Sequence, residues 1–474
     1  MQKYSDVRRE LKARFETMSD FEERSFSSGG VSFSVFYIQN LSSRELIDKF
    51  VLSPLVTLGG TRPVYDIISH VSVREIPDAA QAASEILSGA CVAISSDDDG
   101  ILSGMTKSDD GRSPSEPETE NVIRGAHEGF TENGGFNAAL IRRRIKTTHL
   151  KKEDFSYGDT SKTTVSVMYL DNVVRDDVLC ELKRRLSSIE INGILDSGYV
   201  EAYIQDGKYS VYPTIGNSER PDKVASKILE GRIAIIVDGS PVVLTAPFLF
   251  VEGFQVTEDY SKSVFFATFE RSLRFIGTLA SLYLPALLLA LNFGGLPGTF
   301  FSEYLERARA DIKIPLMAEL VFVFLMFELV REVGLRMPKA VGSAVGIVGS
   351  LVIGDSAVEA GIISAPVLIV VAFSAVCNFL APPYMNSNVI YRAALILAAG
   401  FFGPVGFFVA VVLSVAVFAS KTSLKTPYLS PLSPFSARGQ GDFLLMLPIW
   451  KQKYVPDVLS KKRKIRSKGK KSDE

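Results

Sequence analysis

One stretch of the sequence decides the fold class: Ile314-Pro-Leu-Met-Ala-Glu319-Leu-Val-Phe-Val-Phe-Leu-Met-Phe-Glu328-Leu-Val330. It is apolar enough for a membrane except at its two glutamates. An ionised carboxylate at the centre of a helix in lipid costs about 3 kcal/mol even on the lenient insertion scale, so such residues are expected to face water, a partner or a pore. The stretch therefore predicts a membrane protein that moves or senses something polar, rather than an anchored soluble enzyme.

The spacing of the two glutamates separates their roles. Nine residues at about 100° each place Glu319 and Glu328 on opposite faces of one helix, about 13 Å apart along its axis. Arg331 follows Glu328 by three residues, which favours an ion pair near the inner membrane face. Glu319 has no such neighbour in sequence. We therefore expect Glu319 to be the better candidate for an ion pathway, and Glu328 to hold its helix to a neighbouring one.

The two halves of the chain differ in composition, although 52 basic and 53 acidic residues nearly cancel over its 474 residues. Residues 1–270 hold most charges and read as soluble α/β protein, whereas residues 275–420 are dominated by Leu, Val, Ile, Ala, Phe and Gly. The tail turns basic at Lys461–Lys471, which suggests contact with anionic lipid. The N-terminus has no apolar signal-peptide core, so we expect the first half to stay in the cytoplasm.

The soluble half contains an apparent duplication. Ser34-Val-Phe-Tyr-Ile-Gln-Asn40 matches Ser166-Val-Met-Tyr-Leu-Asp-Asn172, and a helix–Gly–strand unit around Gly89 matches one around Gly231. Asp238-Gly239 predicts a hairpin turn after the second unit, and residues 97–100 the corresponding turn in the first. These matches predict two similar α/β lobes, at residues 1–104 and 121–270, joined by a linker at residues 105–120.

The second half, residues 271–420, is predicted to be an α-helical polytopic membrane domain, followed by a basic cytoplasmic tail at 421–474. Its last apolar run is either one long tilted helix or a hairpin broken at Gly403-Pro404. The placement of Lys and Arg favours four spans plus such a hairpin, with both termini in the cytoplasm. The apolar runs are Phe275–Phe293, Ile314–Val330, Val341–Ala357, Ile362–Leu380 and Val389–Ala419.

Two further patterns fall in this domain. Small residues recur every four positions, at Gly342, Gly346, Ser350 and Gly354, and predict close helix packing. Asp355 and Glu359 share one helical face; they could attract cations at a pore mouth or could simply be a solvated helix end. Asn386 and Asn388 follow a Pro-Pro-Tyr turn, which could expose ion ligands but is more simply a cytoplasmic turn.

Catalysis finds little support in the sequence. The three histidines have no metal-ligand spacing, and no P-loop, nucleophile elbow or His/Cys cluster is present. We expect no cofactor, no metal site and no nucleic-acid partner. Arg142–Arg144 could face phosphate or lipid head groups, although a solvated helix face is more usual. Cys91, Cys180 and Cys377 are far apart and are expected to be reduced packing residues.

Several motifs, taken together and in order, resemble the A subunits of GerA-type spore germinant receptors, a family that includes SpoVAF. They run over about residues 120–450, and the first lobe has no strong match. The matching segments are Val122–Gly125, Glu128–Glu132, Asn137–Arg144, Asp196–Gly198, Glu219–Val224, Glu230–Asp238, Glu328–Gly334, Gly346–Gly349, Val352–Gly354, Ala357–Ala360 and Pro427–Pro431.

The resemblance implies a multi-pass protein of the spore inner membrane that oligomerises into a gated cation-conducting channel. It further implies a transporter-like B subunit, a lipoprotein C subunit and membrane lipids as partners. The sequence departs from the family at Phe324, where a glutamate is usual, at Asp355, where Gln is usual, and at residues 134–136. A copy without that glutamate could conduct differently, so a non-conducting scaffold or modulator is the alternative.

Overall fold

The computed structural model describes residues 4–70, 72–98, 100–108, 116–117, 120, 122, 124–294, 300–337, 354–436, 439–452, 455–456 and 458–461. The strands are β1 Phe21–Ser28, β2 Val31–Ile38, β3 Arg74–Ile76, β4 Ala90–Ser95, β5 Ile101–Met105, β6 Leu150–Tyr157, β7 Thr163–Leu170, β8 Gly216–Ser218, β9 Ile233–Val237 and β10 Val243–Ala246. The α-helices of the soluble half are α1 Tyr4–Arg14, α2 Arg44–Ile47, α3 Ser53–Leu58, α4 Val64–Ile67, α5 Ala79–Leu87, α6 Gly134–Arg144, α7 Asp176–Leu186, α8 Ser197–Ile204 and α9 Pro221–Leu229.

The duplication predicted from sequence is confirmed by the topology of the two lobes. One five-stranded sheet has the order β1-β2-β4-β5-β3 and the other the order β6-β7-β9-β10-β8, which is the same arrangement twice. Every pairing in both sheets is antiparallel. Helices α1 and α5 cover one face of the first sheet as α6 and α9 cover one face of the second.

The local signals that fix each repeat also behave as predicted. Gly89 and Gly231 end their helices with φ of 96° and 99°, a region open to glycine at little cost. Asp238 and Gly239 form the turn after β9, and residues 96–100 join β4 to β5. The central strands β4 and β9 are buried along their whole length because helices cover both faces of each sheet.

A buried ion pair joins the two lobes. Arg142 on α6 donates from Nε and Nη2 to the two carboxylate oxygens of Asp20, at 2.6 and 2.8 Å, and both side chains are almost fully buried. Ala139, also on α6, packs in the hydrophobic core of the first lobe. Arg142 therefore does not belong to a solvated helix face, contrary to the simpler expectation, because α6 lies between the lobes.

The second half is helical. Its helices are α10 Val264–Gly294, α11 Phe300–Ala308, α12 Leu316–Arg336, α13 Ala365–Asn378 and α14 Met385–Ser420. Within the part of the chain that the structure describes, two apolar helical stretches, Val264–Phe293 and Pro382–Ser420, are long enough to cross a membrane. The predicted span Ile362–Leu380 forms a helix of only 14 residues, and most of Val341–Ala357 lies outside the described residues. The number of crossings therefore stays a prediction.

Helix α14 folds back on itself as a hairpin. Gly403 has φ 59° and ψ −143°, which breaks the helix just before Pro404. The rings of Tyr391 and Phe418 stack with centroids 5.8 Å apart, whereas in a straight helix they would be about 40 Å apart. Of the two readings of the last apolar run, the broken hairpin is confirmed.

After the hairpin the chain returns to the second lobe. Ser423 donates its hydroxyl to Thr214 O at 2.5 Å, and Phe250 N–H donates to Tyr428 O at 2.9 Å. Farther on, Lys461 N–H donates to Val173 O at 2.8 Å. The chain up to Lys461 thus lies on the same side of the helices as the second lobe.

Candidate functional site

Glu328 joins α12 to the first arm of the α14 hairpin. Its Oε1 accepts from Arg392 Nη2 at 2.6 Å, and its Oε2 lies 2.9 Å from Arg331 Nη2. Arg392 is 2 % exposed and also donates to Ser374 on α13 at 2.8 Å. The predicted ion pair with Arg331 is confirmed, and the buried contact with Arg392 supports the expectation that Glu328 holds its helix to a neighbour.

Phe324 faces the same arginine. The Arg392 guanidinium carbon is 5.0 Å from the centroid of the Phe324 ring, a cation–π arrangement. Among the described residues, Arg392 Nε and Arg331 Nε and Nη1 have no hydrogen-bond partner. Two guanidinium groups therefore share one carboxylate, at the position where the family resemblance implies a further glutamate.

Glu319 is fully buried, and its partners come from segments that are not its immediate neighbours in sequence. Its Oε1 accepts from the Ser364 N–H at 2.6 Å and from the Ser364 hydroxyl at 2.5 Å, just before α13 begins. Its Oε2 accepts from Arg309 Nε at 3.1 Å. A carboxylate at a helix N-terminus is stabilised by the free N–H groups there. Its possible place on an ion path stays a prediction.

Asp355, Glu359 and Gly354, the other predicted site residues that the structure describes, lie apart from these two glutamates. Asp355 and Glu359 are both exposed on a short helical segment, residues 354–359, which fits either reading of that pair. Gly354 is buried and faces Leu368. Gly342, Gly346 and Ser350 lie outside the described residues.

An aromatic cluster connects the second lobe to the helices. Tyr212, on the lobe, is fully buried, and its ring lies 4.5 Å from the ring of Phe418 and 5.2 Å from that of Tyr391, centroid to centroid. These partners belong to the two arms of the hairpin. One tyrosine of the soluble half therefore contacts both arms at their lobe-side ends.

A chain of buried hydrogen bonds continues from Tyr212 into the helices. The Tyr212 hydroxyl donates to Asn388 Oδ1, and Asn388 Nδ2 donates to Asn378 Oδ1 at 3.0 Å. Ser281 on α10 donates to the same Asn378 oxygen at 3.3 Å. The chain links the lobe, the hairpin, α13 and α10 through side chains with no net charge. It supports the interpretation of the Asn386/Asn388 segment as a turn rather than a source of ion ligands, because the Asn388 side chain is already hydrogen-bonded within the fold.

The lobe and the hairpin approach each other too closely for a side chain at Gly253. A Cβ there would lie 2.2 Å from the Tyr384 ring, and that ring is itself fully buried. Next to this contact is a cavity of about 550 Å³, walled on the lobe side by Lys227 and Phe248 and on the helix side by Leu380 and Asn386.

Buried charges stiffen the lobe side of the junction. Glu252 accepts from Arg232 at 2.9 and 3.1 Å and lies 3.1 Å from Lys227 Nζ. Burial lowers the pKa of Lys227, and it opposes ionisation of Glu252, but the two neighbouring cations hold the Glu252 pKa below its usual value. Glu252 also accepts from the Leu249 N–H at 2.8 Å, which fixes the turn that presents Gly253.

Sequence reasoning missed the residues that build this junction. Tyr212, Asn378 and Gly253 lie in unrelated segments, and each contacts a residue more than 90 positions away along the chain, although Asn378 also binds the nearby Asn388. The one available signal was the pair of asparagines after the Pro-Pro-Tyr turn, because an amide beside an apolar helix needs a buried partner.

The chain is similar over nearly its whole length to known spore proteins. The family model described as "Bacillus/Clostridium GerA spore germination protein" matches residues 9–458. Spore germination protein KA of Bacillus subtilis (strain 168) is 36% identical over 453 residues, covering 92% of this chain and 82% of that protein. Stage V sporulation protein AF of the same organism is 31% identical over 402 residues, covering 84% and 81%.

A solved structure is also similar to the first half of the chain. It is the N-terminal domain of the A subunit of the Bacillus megaterium spore germinant receptor GerK3, at 32% sequence identity. The alignment covers 52% of this chain and 96% of that domain, with a TM-score of 0.41.

Proposed function

Because the chain belongs to the GerA family of spore germination proteins, we propose that it is the A subunit of a nutrient germinant receptor. It acts in the spore inner membrane with both termini in the cytoplasm. Copies of the chain assemble into a gated cation channel together with a transporter-like B subunit and a lipoprotein C subunit. Nutrient recognition on a partner opens the channel and starts germination. The chain itself catalyses no reaction.

The observation that supports this role most directly is the junction between the second lobe and the helices. Tyr212 contacts both arms of the hairpin, and its hydrogen bonds continue to Asn378 and Ser281. A receptor subunit needs its soluble part and its membrane part to move together, because an equilibrium shifts only when the two states differ in such contacts.

The ion path of the proposal involves the two buried glutamates and the exposed acidic pair. Glu319 and Glu328 are both held by arginines within one chain, so neither is a bare cation ligand in this state. In the channel reading these ion pairs are the closed arrangement, and opening separates one of them. Asp355 and Glu359 are exposed and would attract cations to the mouth of the path.

Those same ion pairs favour the second candidate, a non-conducting scaffold or modulator of a receptor complex. A carboxylate that is permanently paired with a buried arginine holds helices together and does not conduct.

Ion flux from liposomes separates the two candidates. Purified protein would be reconstituted alone and with a B-type subunit, and cation release would be followed with and without nutrient. The channel role predicts release that depends on nutrient and partner. Stable association with the partner but no release would favour the scaffold.

Three substitutions test the coupling of the lobe to the helices and the ion path separately. Gly253→Ala should push the Tyr384 ring out of the junction and weaken the response to nutrient without loss of assembly. Glu319→Gln and Glu328→Gln test the path. If both leave ion release and germination unchanged, the glutamates have no role in conduction.

A further inference from the structure

The start of α10 presents an exposed aromatic face. Phe265, Phe266 and Phe269 are 90%, 51% and 61% exposed, although they belong to one of the two longest apolar helices. At 100° per residue, Phe265, Phe269 and Ile276 point within about 40° of one another. Ser272 lies between Phe269 and Ile276 on this side of the helix, and exposed apolar side chains resume at Leu273 and Ile276.

The opposite face of the same turns is polar and already occupied. Arg271 donates to Asp259 at 2.7 Å and to Asp442 at 2.8 Å, and Arg274 donates to Asp259 at 2.6 Å. These ion pairs fix the rotation of α10, so the phenylalanines cannot turn inward.

The segment after the hairpin extends the exposed face. Met446 N–H donates to Thr268 Oγ1 at 3.2 Å, which lays the tail along the edge of α10. Its neighbours Leu445, Leu447 and Trp450 are all exposed. Together with Phe265, Phe266 and Phe269 they form what we call the aromatic collar.

The length of α10 indicates how deep the aromatic collar lies relative to the bilayer. Its 31 residues extend about 46 Å. A bilayer is about 30 Å thick in its hydrocarbon core and about 40–45 Å with its headgroup layers. A helix that crosses the core therefore has its first turns in a headgroup layer, where aromatic side chains are enriched.

Basic residues next to the aromatic collar favour lipid as the molecule that contacts it. Lys451 is exposed beside Trp450, and the sequence continues to the basic run Lys461–Lys471. Aromatic residues inserted at the acyl boundary, with lysines nearby, bind an anionic membrane surface through apolar burial and electrostatic attraction. A second copy of the chain would instead need a surface complementary to both the aromatic face and the neighbouring basic residues.

We propose that the aromatic collar is a lipid-contact surface that seats the second lobe on the anionic headgroup layer of the membrane crossed by α10. The inference rests on the membrane location in the proposed function and adds where the soluble half touches the bilayer. Seating the lobe there fixes the height of the Tyr212 junction relative to the membrane plane.

Trp450 is the single tryptophan of the chain, so its fluorescence reports on the collar alone. The full-length protein would be placed in nanodiscs of phosphatidylglycerol and phosphatidylcholine, with bromine near the glycerol end or near the methyl end of the acyl chains. We expect about twofold quenching by bromine near the glycerol end, less by bromine near the methyl end, and weak quenching by acrylamide in the water. Replacing phosphatidylglycerol by phosphatidylcholine should reduce the quenching by bromine.

A double variant, Phe265→Ser with Phe269→Ser, should weaken lipid quenching and raise acrylamide quenching. Tyr65→Ser is the matched control, since Tyr65 is exposed to a similar degree on the first lobe and should change neither signal. The lipid-quenching pattern of the unmodified protein tests the inference even if the double variant does not fold.

Other outcomes are distinguishable. Protein extracted by alkali would contradict the membrane location itself. Protein that resists alkali but is quenched only by acrylamide would overturn the collar and leave the proposed function intact. Protection from both bromine and acrylamide, lost on dilution, would assign the collar to contact between copies and also overturn the inference.

Discussion

Arg392 Nη2 lies 2.6 Å from Glu328 Oε1, although 64 residues separate the two along the chain. The contact fixes α12 against the first arm of the hairpin. Because Arg392 is buried, removing its counter-charge leaves a cation without compensation inside the helices, and that is costly.

Glu328→Gln should therefore lower the free energy of unfolding by about 2–4 kcal/mol, measured as the midpoint of thermal unfolding in detergent. Glu332→Gln is the matched control. Glu332 pairs with Arg336 on the exposed side of the same helix and should matter by less than about 0.5 kcal/mol. Equal losses for the two variants would contradict a structural role for the buried pair.

Gly403→Ala should destabilise the hairpin by about 2 kcal/mol, because φ 59° with ψ −143° is a region that only glycine adopts readily. The added Cβ would also lie 3.1 Å from the side chain of Phe293. Gly334→Ala, in a helix and with no neighbour near its Cβ, should instead be neutral or stabilise by up to about 1 kcal/mol. Thermal unfolding of both variants would test the contrast, and two similar shifts would speak against the hairpin.

Asp20→Asn should loosen the lobes from each other, since it leaves Arg142 buried without a counter-charge, at a cost of about 3–5 kcal/mol. We expect faster limited proteolysis between residues 105 and 120 and an earlier unfolding transition. Glu10→Gln removes an exposed pair with Arg14 on the first lobe and should leave both unchanged. Identical cleavage rates for the two variants would refute the interlobe role.

Glu181 should make the second lobe sensitive to acid. Hydrogen bonds from Arg184 and then Arg185 lower its pKa from about 4.5 to about 2. A carboxyl whose folded pKa is lowered stabilises the fold above its ordinary pKa, and that stability is lost as the pH falls through 4.5 towards 2. The difference in unfolding midpoint between wild type and Glu181→Gln should be constant at neutral pH and shrink below about pH 4.5. A constant difference down to pH 3 would rule this out.

Local sequence signals predicted the features that depend on few residues. The two lobes follow from matched helix–Gly–strand units, and the hairpin follows from a glycine and a proline at the centre of an apolar run. The pair of Glu328 with Arg331 follows from a three-residue spacing on one helix. Each needs only neighbours within one or two turns.

Contacts between segments that are distant along the chain could not be predicted from the sequence. Arg309 reaches Glu319 across the bend before α12, a distance that helical spacing does not predict. Arg142 is buried because the first lobe packs against α6 and supplies Asp20 as its partner. Cys91 and Cys377 pack in the interior as expected, whereas Cys180 is exposed on α7. In each case tertiary packing, not the local pattern, selects the partner.

The return of the chain to the second lobe has a mechanical consequence. Helix α10 leaves that lobe through the Asp259–Arg271 pair, and the chain comes back to it at Ser423. Both ends of the helical region are thus attached to the second lobe. A small tilt of that lobe would displace both attachments together, so the helices would rearrange as a set rather than one at a time.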